Sequence, residues 1–210
     1  METALIFAGG DRADPVEPLP RADMVVAADG GYDHATALGF RVDLLVGDMD
    51  SIASENLPDH VAVERHPVDK DATDLELALE SVLRHRPDRV VVVGGGGGRL
   101  DHEIAVAETL CAARWAEIDK IDWITGRGAA FVVRGRRSVR GGAGRLLSLI
   151  PIGGSAEGVE TRGLKWELRG ETLPHGATRG LSNVMLGSIA DVSVRSGCLL
   201  VVAPRESAGA

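Results

Sequence analysis

Two acidic clusters and a glycine run carry the residue types from which a phosphate-handling site can be made. Asp48 and Asp50 stand one residue apart after the apolar run Val42 to Val46, where a buried strand gives way to a loop. Carboxylates at period two on an extended segment face the same way, and such a pair suits a hard cation such as Mg²⁺, which takes oxygen ligands. The plain alternative is a turn, in which Asp and Ser cap the loop backbone. The second cluster is Asp69-Lys70-Asp71-Ala72-Thr73-Asp74. Thr73 and Glu76 read as a capping box, and Asp74 in the first turn complements the helix dipole. Capping does not account for Asp69, Lys70 and Asp71 in the same loop, where like charges repel unless a cation sits among them.

The third element is Gly94 to Gly98 followed by Arg99-Leu100-Asp101-His102. It is not a P-loop, because no Gly-Lys-Ser/Thr follows. Glycines still let backbone N–H groups approach a phosphate ahead of a helix N-terminus, and Arg99 can contact a phosphate bidentately. The competing reading is a turn with Asp101 as the N-cap of the next helix. Asp29-Gly30-Gly31 closes another strand and opens another helix, and Asp29 there suits a ribose, a metal or a cap.

These clusters need strand ends to hold them. Ala4–Ala8, Met24–Ala28, Val42–Val46, Val61–Val63 and Val90–Val93 are apolar runs too continuous for half-exposed strands and read as parallel ones buried on both faces. Helical patterns over 31–38, 73–86 and 101–116 alternate with them, with Leu75, Leu79 and Val82 as a core-facing stripe. This predicts an α/β domain with a doubly wound, mainly parallel, Rossmann-like sheet. In such sheets ligands collect at the carboxyl ends of the strands. Near residue 126 the pattern changes to short strand-like runs between glycine turns, clearest at 130–133, 145–150, 190–194 and 198–202. That half reads as an all-β sandwich or barrel. The expected domains are therefore 1–126 and 127–210.

Composition narrows the partners. The 210 residues carry a net charge of −8, with 44% hydrophobic and 26% charged residues. That is an ordinary globular balance without the basic face that nucleic acid or an anionic membrane selects. No secretory leader pattern and no run near a membrane span is present, so the expected location is the cytoplasm. Cys111 and Cys198 lie far apart in sequence and lack metal-type spacing, and each reads as a small buried hydrophobe. The six histidines form no zinc pattern. Trp166, in a chain with 3% aromatics, is either core or a platform for a flat ring. Ser182-Asn183 is either a turn or a polar pair for a ligand amine.

Taken in order, Gly47-Asp48-Met49-Asp50-Ser51-Ile52, Asp69 to Leu79, Gly97-Gly98-Arg99-Leu100-Asp101-His102, Gly163-Leu164-Lys165-Trp166 and Ser182-Asn183 resemble the thiamine pyrophosphokinase family. The resemblance runs from Ala28 to the C-terminal strands. It implies a catalytic α/β domain (1–126) that binds ATP and Mg²⁺, and a β-sandwich domain (127–210) that binds thiamine. The implied assembly is a homodimer with active sites between subunits. The implied reaction transfers the pyrophosphoryl group of ATP to the thiamine hydroxyl, giving thiamine diphosphate and AMP.

On these positions the resemblance implies Asp48, Asp50 and Asp74 as Mg²⁺ ligands, with Asp71 close by as a candidate base. Asp29, Gly30, Gly31, Lys70, Thr73, Arg99 and Asp101 would line the nucleotide site. Trp166 would stack on thiamine, with Ser182 and Asn183 beside its pyrimidine. Departures from the family's pattern fall at Met49, often phenylalanine, at Glu103 to Val106, where asparagine is frequent, and at Val184, often glutamate. Rival readings are another Mg²⁺-dependent diphosphokinase or nucleotide hydrolase, for example one acting on a pterin alcohol, and a non-enzymatic nucleotide or thiamine sensor.

Overall fold

A computed structural model describes residues 2–11, 13, 18–49 and 57–205. The chain forms two compact units, Met1–Thr109 with Glu117–Gly126, and Leu110–Ala116 with Arg127–Ala210.

In the first unit the apolar runs become strands β1 (Thr3–Phe7), β2 (Met24–Ala28), β3 (Leu44–Gly47), β4 (Ala62–Arg65) and β5 (Arg89–Val93), joined by β6 (Lys120–Thr125). They pair in parallel in the order β6-β5-β1-β2-β3-β4. Parallel pairing puts every carboxyl end on one edge of the sheet. The connection leaves β4 at one side and returns to β5 beside β1, so the strand order reverses between β1 and β5, the position at which sheets of this kind bind ligands.

Leu5, Phe7, Val25, Ala27, Leu45, Val91 and Val93 form one face's core with Tyr32 and Ala35 of helix α1 (Gly31–Ala37). The alternate residues Ala4, Ile6, Val26, Val46, Val90 and Val92 are also buried. Helix α2 (Asp74–Leu83) packs against β1, β2 and β3 and buries Leu75, Leu79 and Val82, the stripe that its periodicity predicts. Burial on both faces explains why β1, β2, β3 and β5 read as unbroken apolar runs; β4, at the sheet edge, is mostly exposed, against the expectation for Val61–Val63.

Helix α3 (Leu100–Leu110) is shorter than the predicted 101–116 span. It stops before Cys111 and Ala112, and a separate 3-10 turn, Ala113–Trp115, buries Trp115. It also begins at Leu100, so Asp101 lies inside the first turn rather than at the N-cap. Strand β6 is not visible in the sequence pattern because Asp122 interrupts it. That carboxylate is buried and paired with Arg89 of β5, with Nη2 at 2.5 Å and Nε at 2.9 Å.

The second unit holds two antiparallel sheets. One has the order β12 (Asn183–Val184), β9 (Leu146–Pro151), β14 (Leu199–Pro204), β7 (Gly128–Val133). The other has the order β11 (Arg169–Leu173), β10 (Ala156–Arg162), β13 (Ile189–Ser193), β8 (Arg136–Arg140). Leu147, Leu149, Leu199 and Val201 from the first share a core with Val139, Val159, Leu173 and Val192 from the second.

Candidate functional site

The carboxyl edge of the parallel sheet gathers the acidic residues around one lysine. Asp29 follows β2 with φ 44° and is fastened by its N–H to Val46 O at 2.8 Å. Gly30 caps α1, and Gly31 lies so close to β1 that a Cβ would overlap the Phe7 carbonyl oxygen, so this helix can start only on a glycine. Gly47 ends β3 with φ 150°, and a Cβ there would stand 3.1 Å from both Asp29 Cβ and Asp74 Oδ1. The missing side chain at Gly47 is what lets Asp29 and Asp74 converge.

Lys70 Nζ lies 3.2 Å from Asp48 Oδ2 and 3.1 Å from Asp74 Oδ1. All three side chains are largely buried, with exposures of 13%, 12% and 24% for Lys70, Asp48 and Asp74. Thr73 Oγ1 accepts from Glu76 N at 3.2 Å and starts α2 as the capping pattern predicts, which holds Asp74 at the helix entrance.

This cluster is under-satisfied. Asp29 Oδ1 is buried without a hydrogen-bond donor, and Asp74 Oδ1 faces the ammonium without the alignment of a hydrogen bond. Burial pushes the Asp74 carboxyl above the ordinary carboxylate range. The Lys70 ammonium, 3.1 Å away, opposes that push, and the Asp29 and Asp48 carboxylates add to it. Burial pulls the Lys70 ammonium down, but Asp74 and Asp48 more than offset this and its pKa is raised. Buried, partly unpaired carboxylate oxygens cost free energy unless a cation or donor completes them.

Asp50 lies outside the described residues. Met49, which follows Asp48, has φ 70° and packs against the core, so the backbone at that residue is left-handed rather than extended. Among the described residues, no group of three or more His, Cys, Asp or Glu is placed to hold a metal ion; the Lys70 ammonium stands between Asp48 and Asp74. Asp71 is exposed in the turn before α2. Arg99 and Asp101 pair with each other, at 2.6 Å and 3.1 Å, on the exposed start of α3. Arg99 raises no question of burial, and its hydrogen bond holds the Asp101 carboxyl down to about 2.

The glycine run sits at the reversal point between β1 and β5. Its backbone is stitched to neighbouring segments: Gly94 N donates to Ile124 O and Gly95 N to Gly9 O, each at 2.9 Å. Asp11 N donates to Gly96 O at 2.9 Å, and Trp123 Nε1 to Gly94 O at 2.8 Å. Gly97 N donates to the Glu103 carboxylate. Three of the five N–H groups thus have protein partners, which the glycine pattern alone did not reveal. Glu103 and Asp11 are participants that sequence reasoning missed; the signal was the departure at Glu103.

In the second unit, Gly163 to Trp166 runs antiparallel to Asn183 to Leu186, with Lys165 N donating to Val184 O and Leu186 N to Gly163 O. Asn183 is buried and its amide clasps the tryptophan backbone. Oδ1 accepts from Trp166 N at 3.1 Å and Val184 N at 2.9 Å, and Nδ2 donates to Trp166 O at 2.7 Å. Trp166 is 55% exposed, so its indole is a surface and not core. The Lys165 ammonium lies 4.7 Å from the ring centroid, a cation on a π-face. Ser182, at φ 54°, donates its N–H to Ser148 Oγ.

A parallel sheet with carboxylates and a lysine at its strand ends, followed by an antiparallel unit presenting an aromatic face, is an α/β arrangement with polar groups where such sheets collect ligands. Comparison with known proteins is specific. The family described as thiamin pyrophosphokinase, catalytic domain, matches residues 17–121, and that described as thiamin pyrophosphokinase, vitamin B1 binding domain, matches 136–199. Thiamine pyrophosphokinase 1 of Oryza sativa subsp. japonica is 27% identical over 199 residues, covering 79% of this chain and 73% of its own. Thiamine pyrophosphokinase of Bacillus subtilis (strain 168) is 27% identical over 215 residues, covering 96% and 98%. A crystal structure of thiamine pyrophosphokinase from Bacillus subtilis superposes with a TM-score of 0.83 at 23% identity, over 98% of this chain and 100% of that one. The chain belongs to the thiamin pyrophosphokinase family.

Proposed function

We infer that this protein transfers the pyrophosphoryl group of ATP to the hydroxyl of thiamine, giving thiamine diphosphate and AMP. Family membership supports the reaction, and the observation that carries its placement is Lys70 held between Asp48 and Asp74 beside the donorless oxygen of Asp29. Such a site combines a fixed cation with oxygens that want a second one.

Residues 1–126 are read as a Rossmann-like, doubly wound ATP- and Mg²⁺-binding catalytic domain. Residues 127–210 are read as a β-sandwich thiamine-binding domain. Carboxylate oxygens are the donors that Mg²⁺ selects, and the orphaned Asp29 and Asp74 oxygens fit such an ion. Asp48, Asp74 and Asp50 would hold it, with Asp29 beside them. The bound ion would offset the negative charge of the polyphosphate.

The protein's own part is positioning and electrostatics, since phosphoryl-type transfer asks little covalent chemistry of the enzyme. Lys70 places an ammonium against the phosphates. Asp29, Gly30, Gly31 and Thr73 shape the nucleotide's approach, and Arg99 and Asp101 stand at its outer edge. Asp71, exposed and close to the cluster in sequence, is the candidate acceptor for the hydroxyl proton. Trp166 stacks on the substrate's flat ring, with Ser182 and Asn183 beside it, the Asn183 amide also holding the Trp166 backbone. Homodimers with sites between subunits and a cytoplasmic location complete the reading; no helix among the described residues is long and apolar enough to cross a membrane.

The test is incubation with thiamine, ATP and Mg²⁺, resolving nucleotides and thiamine phosphates. AMP and thiamine diphosphate should appear in equal amounts. ADP with thiamine monophosphate, or ATP loss without thiamine, would replace this reading with a kinase or a hydrolase. Binding without turnover would leave a sensor.

A further inference from the structure

The two cysteines belong to neither the acidic cluster nor the tryptophan region, yet the fold of the second unit brings them together. Leu199 of β14 stands opposite Val133 of β7, so one step further along this antiparallel pair brings Cys198 against Arg134. Arg134 Nη2 donates to Leu110 O at 3.1 Å and to Ala112 O at 2.9 Å, the carbonyls on either side of Cys111. The same arginine therefore fastens both cysteine segments. The Cys111 thiol hydrogen-bonds the Cys198 sulfur, and each residue is 7% exposed. That bond, followed by the Arg134 charge, holds the Cys198 thiol below its usual range although burial pushes it up.

Packing alone needs neither the contact between the thiols nor a guanidinium beside them. We propose that Cys111 and Cys198 form a reversible dithiol–disulfide site whose co-reactant is a low-molecular-weight disulfide. The Cys198 thiolate attacks one sulfur of the small disulfide, forming a mixed disulfide and expelling one thiolate, which takes up the proton lost from Cys198. The Cys111 thiolate then attacks the Cys198 sulfur, forming the internal bond and expelling the second small thiolate, which takes up the Cys111 proton. Two protein thiols are oxidised and one small disulfide is reduced to two thiols. Exchange of this kind depends on the thiolate fraction of the attacker and on the nearness of the resolving thiol. The Cys111 thiol does most for the first condition and the Arg134 charge adds to it, and Arg134 also helps supply the second. The two cysteines form no disulfide in this structure, which shows the reduced form of the pair.

Glutathione disulfide is the probe, applied to the reduced full-length chain and followed by intact mass and alkylation under denaturing conditions. The expected product has lost two hydrogens, resists alkylation at both cysteines, yields a peptide joining 111 to 198 and reverts with dithiothreitol. Its thermal midpoint should rise by about 5 °C or more, because the bond closes a long loop. Both thiols still open to alkylation, a glutathione adduct persisting on one cysteine, or a bond between two chains would each overturn the proposal, and none of these readouts needs a variant. In Cys111→Ser the resolving thiol is gone, so glutathione should stay on Cys198; a bare Cys198 would count against it as the attacker. Arg134→Gln should slow the first step about twofold or more at neutral pH, and an unchanged rate would remove Arg134 from the site.

Discussion

The acidic edge of the first unit and the tryptophan region of the second differ in how far their polar groups are satisfied. Around Lys70, carboxylate oxygens of Asp29 and Asp74 are buried without a proper donor, and Asp29 and Met49 hold left-handed backbone. Around Trp166, the Asn183 amide has three partners, all on the backbone of this chain. An unsatisfied cluster is arranged for charge that arrives with a ligand, while a satisfied one fixes the shape of a surface. Mutations should therefore separate the two. Damage at the acidic edge should cost rate without stability, and damage beneath the tryptophan should cost stability together with acceptor affinity.

The largest effect is expected at Asp74. Replacing it with asparagine keeps its size but removes a charge from the proposed cation site, and activity should fall by about a hundredfold or more. Stability should move the other way. An acid whose folded pKa is raised favours folding through its protonated form. Its contribution is complete below the unfolded value, about 3.9, and is lost as pH rises through the raised folded value. At neutral pH the charged, partly unpaired carboxylate is thus a liability. Asp74→Asn should melt no lower than the parent at pH 7, and the difference should narrow as pH falls toward 4. A variant that loses both activity and several degrees of melting temperature would mean that the cluster is structural.

Trp166→Ala tests the other region. Stacking of a flat ring on an aromatic side chain is worth about 1–3 kcal/mol, so the thiamine KM should rise by roughly tenfold or more. Because the indole is 55% exposed, melting should barely change, and the ATP KM should stay put. If the ATP KM rises equally, Trp166 is not an acceptor platform.

Asn183→Ala gives the mixed phenotype that distinguishes a clasp from a ligand contact. Removing it leaves the Trp166 N–H and carbonyl short of partners, at a cost of about 1–3 kcal/mol. Melting should drop by several degrees, with a smaller rise in thiamine KM than Trp166→Ala produces. Normal stability with a large rise in KM would show that the amide meets the substrate directly.

The legible parts were those with a local cause. Burial on both sheet faces leaves unbroken apolar runs, so β1 to β3 and β5 could be read from composition. Thr73 could be read from its capping pattern. Strand β6 could not, because its Asp122 is neutralised by Arg89, which is remote in sequence. The glycine run was legible as a close approach of backbones but not in its partners, since Glu103 and the Gly9–Asp11 loop reach it only through the fold. Asp48 and Asp74 were legible as acidic residues near strand ends. That Lys70 stands between them, and that Gly47 makes room for Asp29, are facts of three dimensions. The family resemblance supplied roles for these residues that their spacing alone left open.

The smallest effect is expected at Asp101, and it bears on how far the acidic site extends. The Arg99–Asp101 pair is exposed on both sides, at 70% and 64%, and solvent screens such pairs. Its folded pKa, about 2, lies below the unfolded value. The pair's contribution is therefore present above the unfolded value and is lost only as pH falls through the folded one. Asp101→Asn should leave the melting temperature nearly unchanged at pH 7 and alter the acid unfolding profile only at its lowest pH. Freed of its partner, Arg99 can turn toward an incoming phosphate, since a guanidinium binds phosphate as readily as carboxylate. A modest fall in ATP KM would make the pair a competitor for the nucleotide. A rise of tenfold or more would instead make Asp101 a direct contact and carry the site from the buried lysine out to the start of α3.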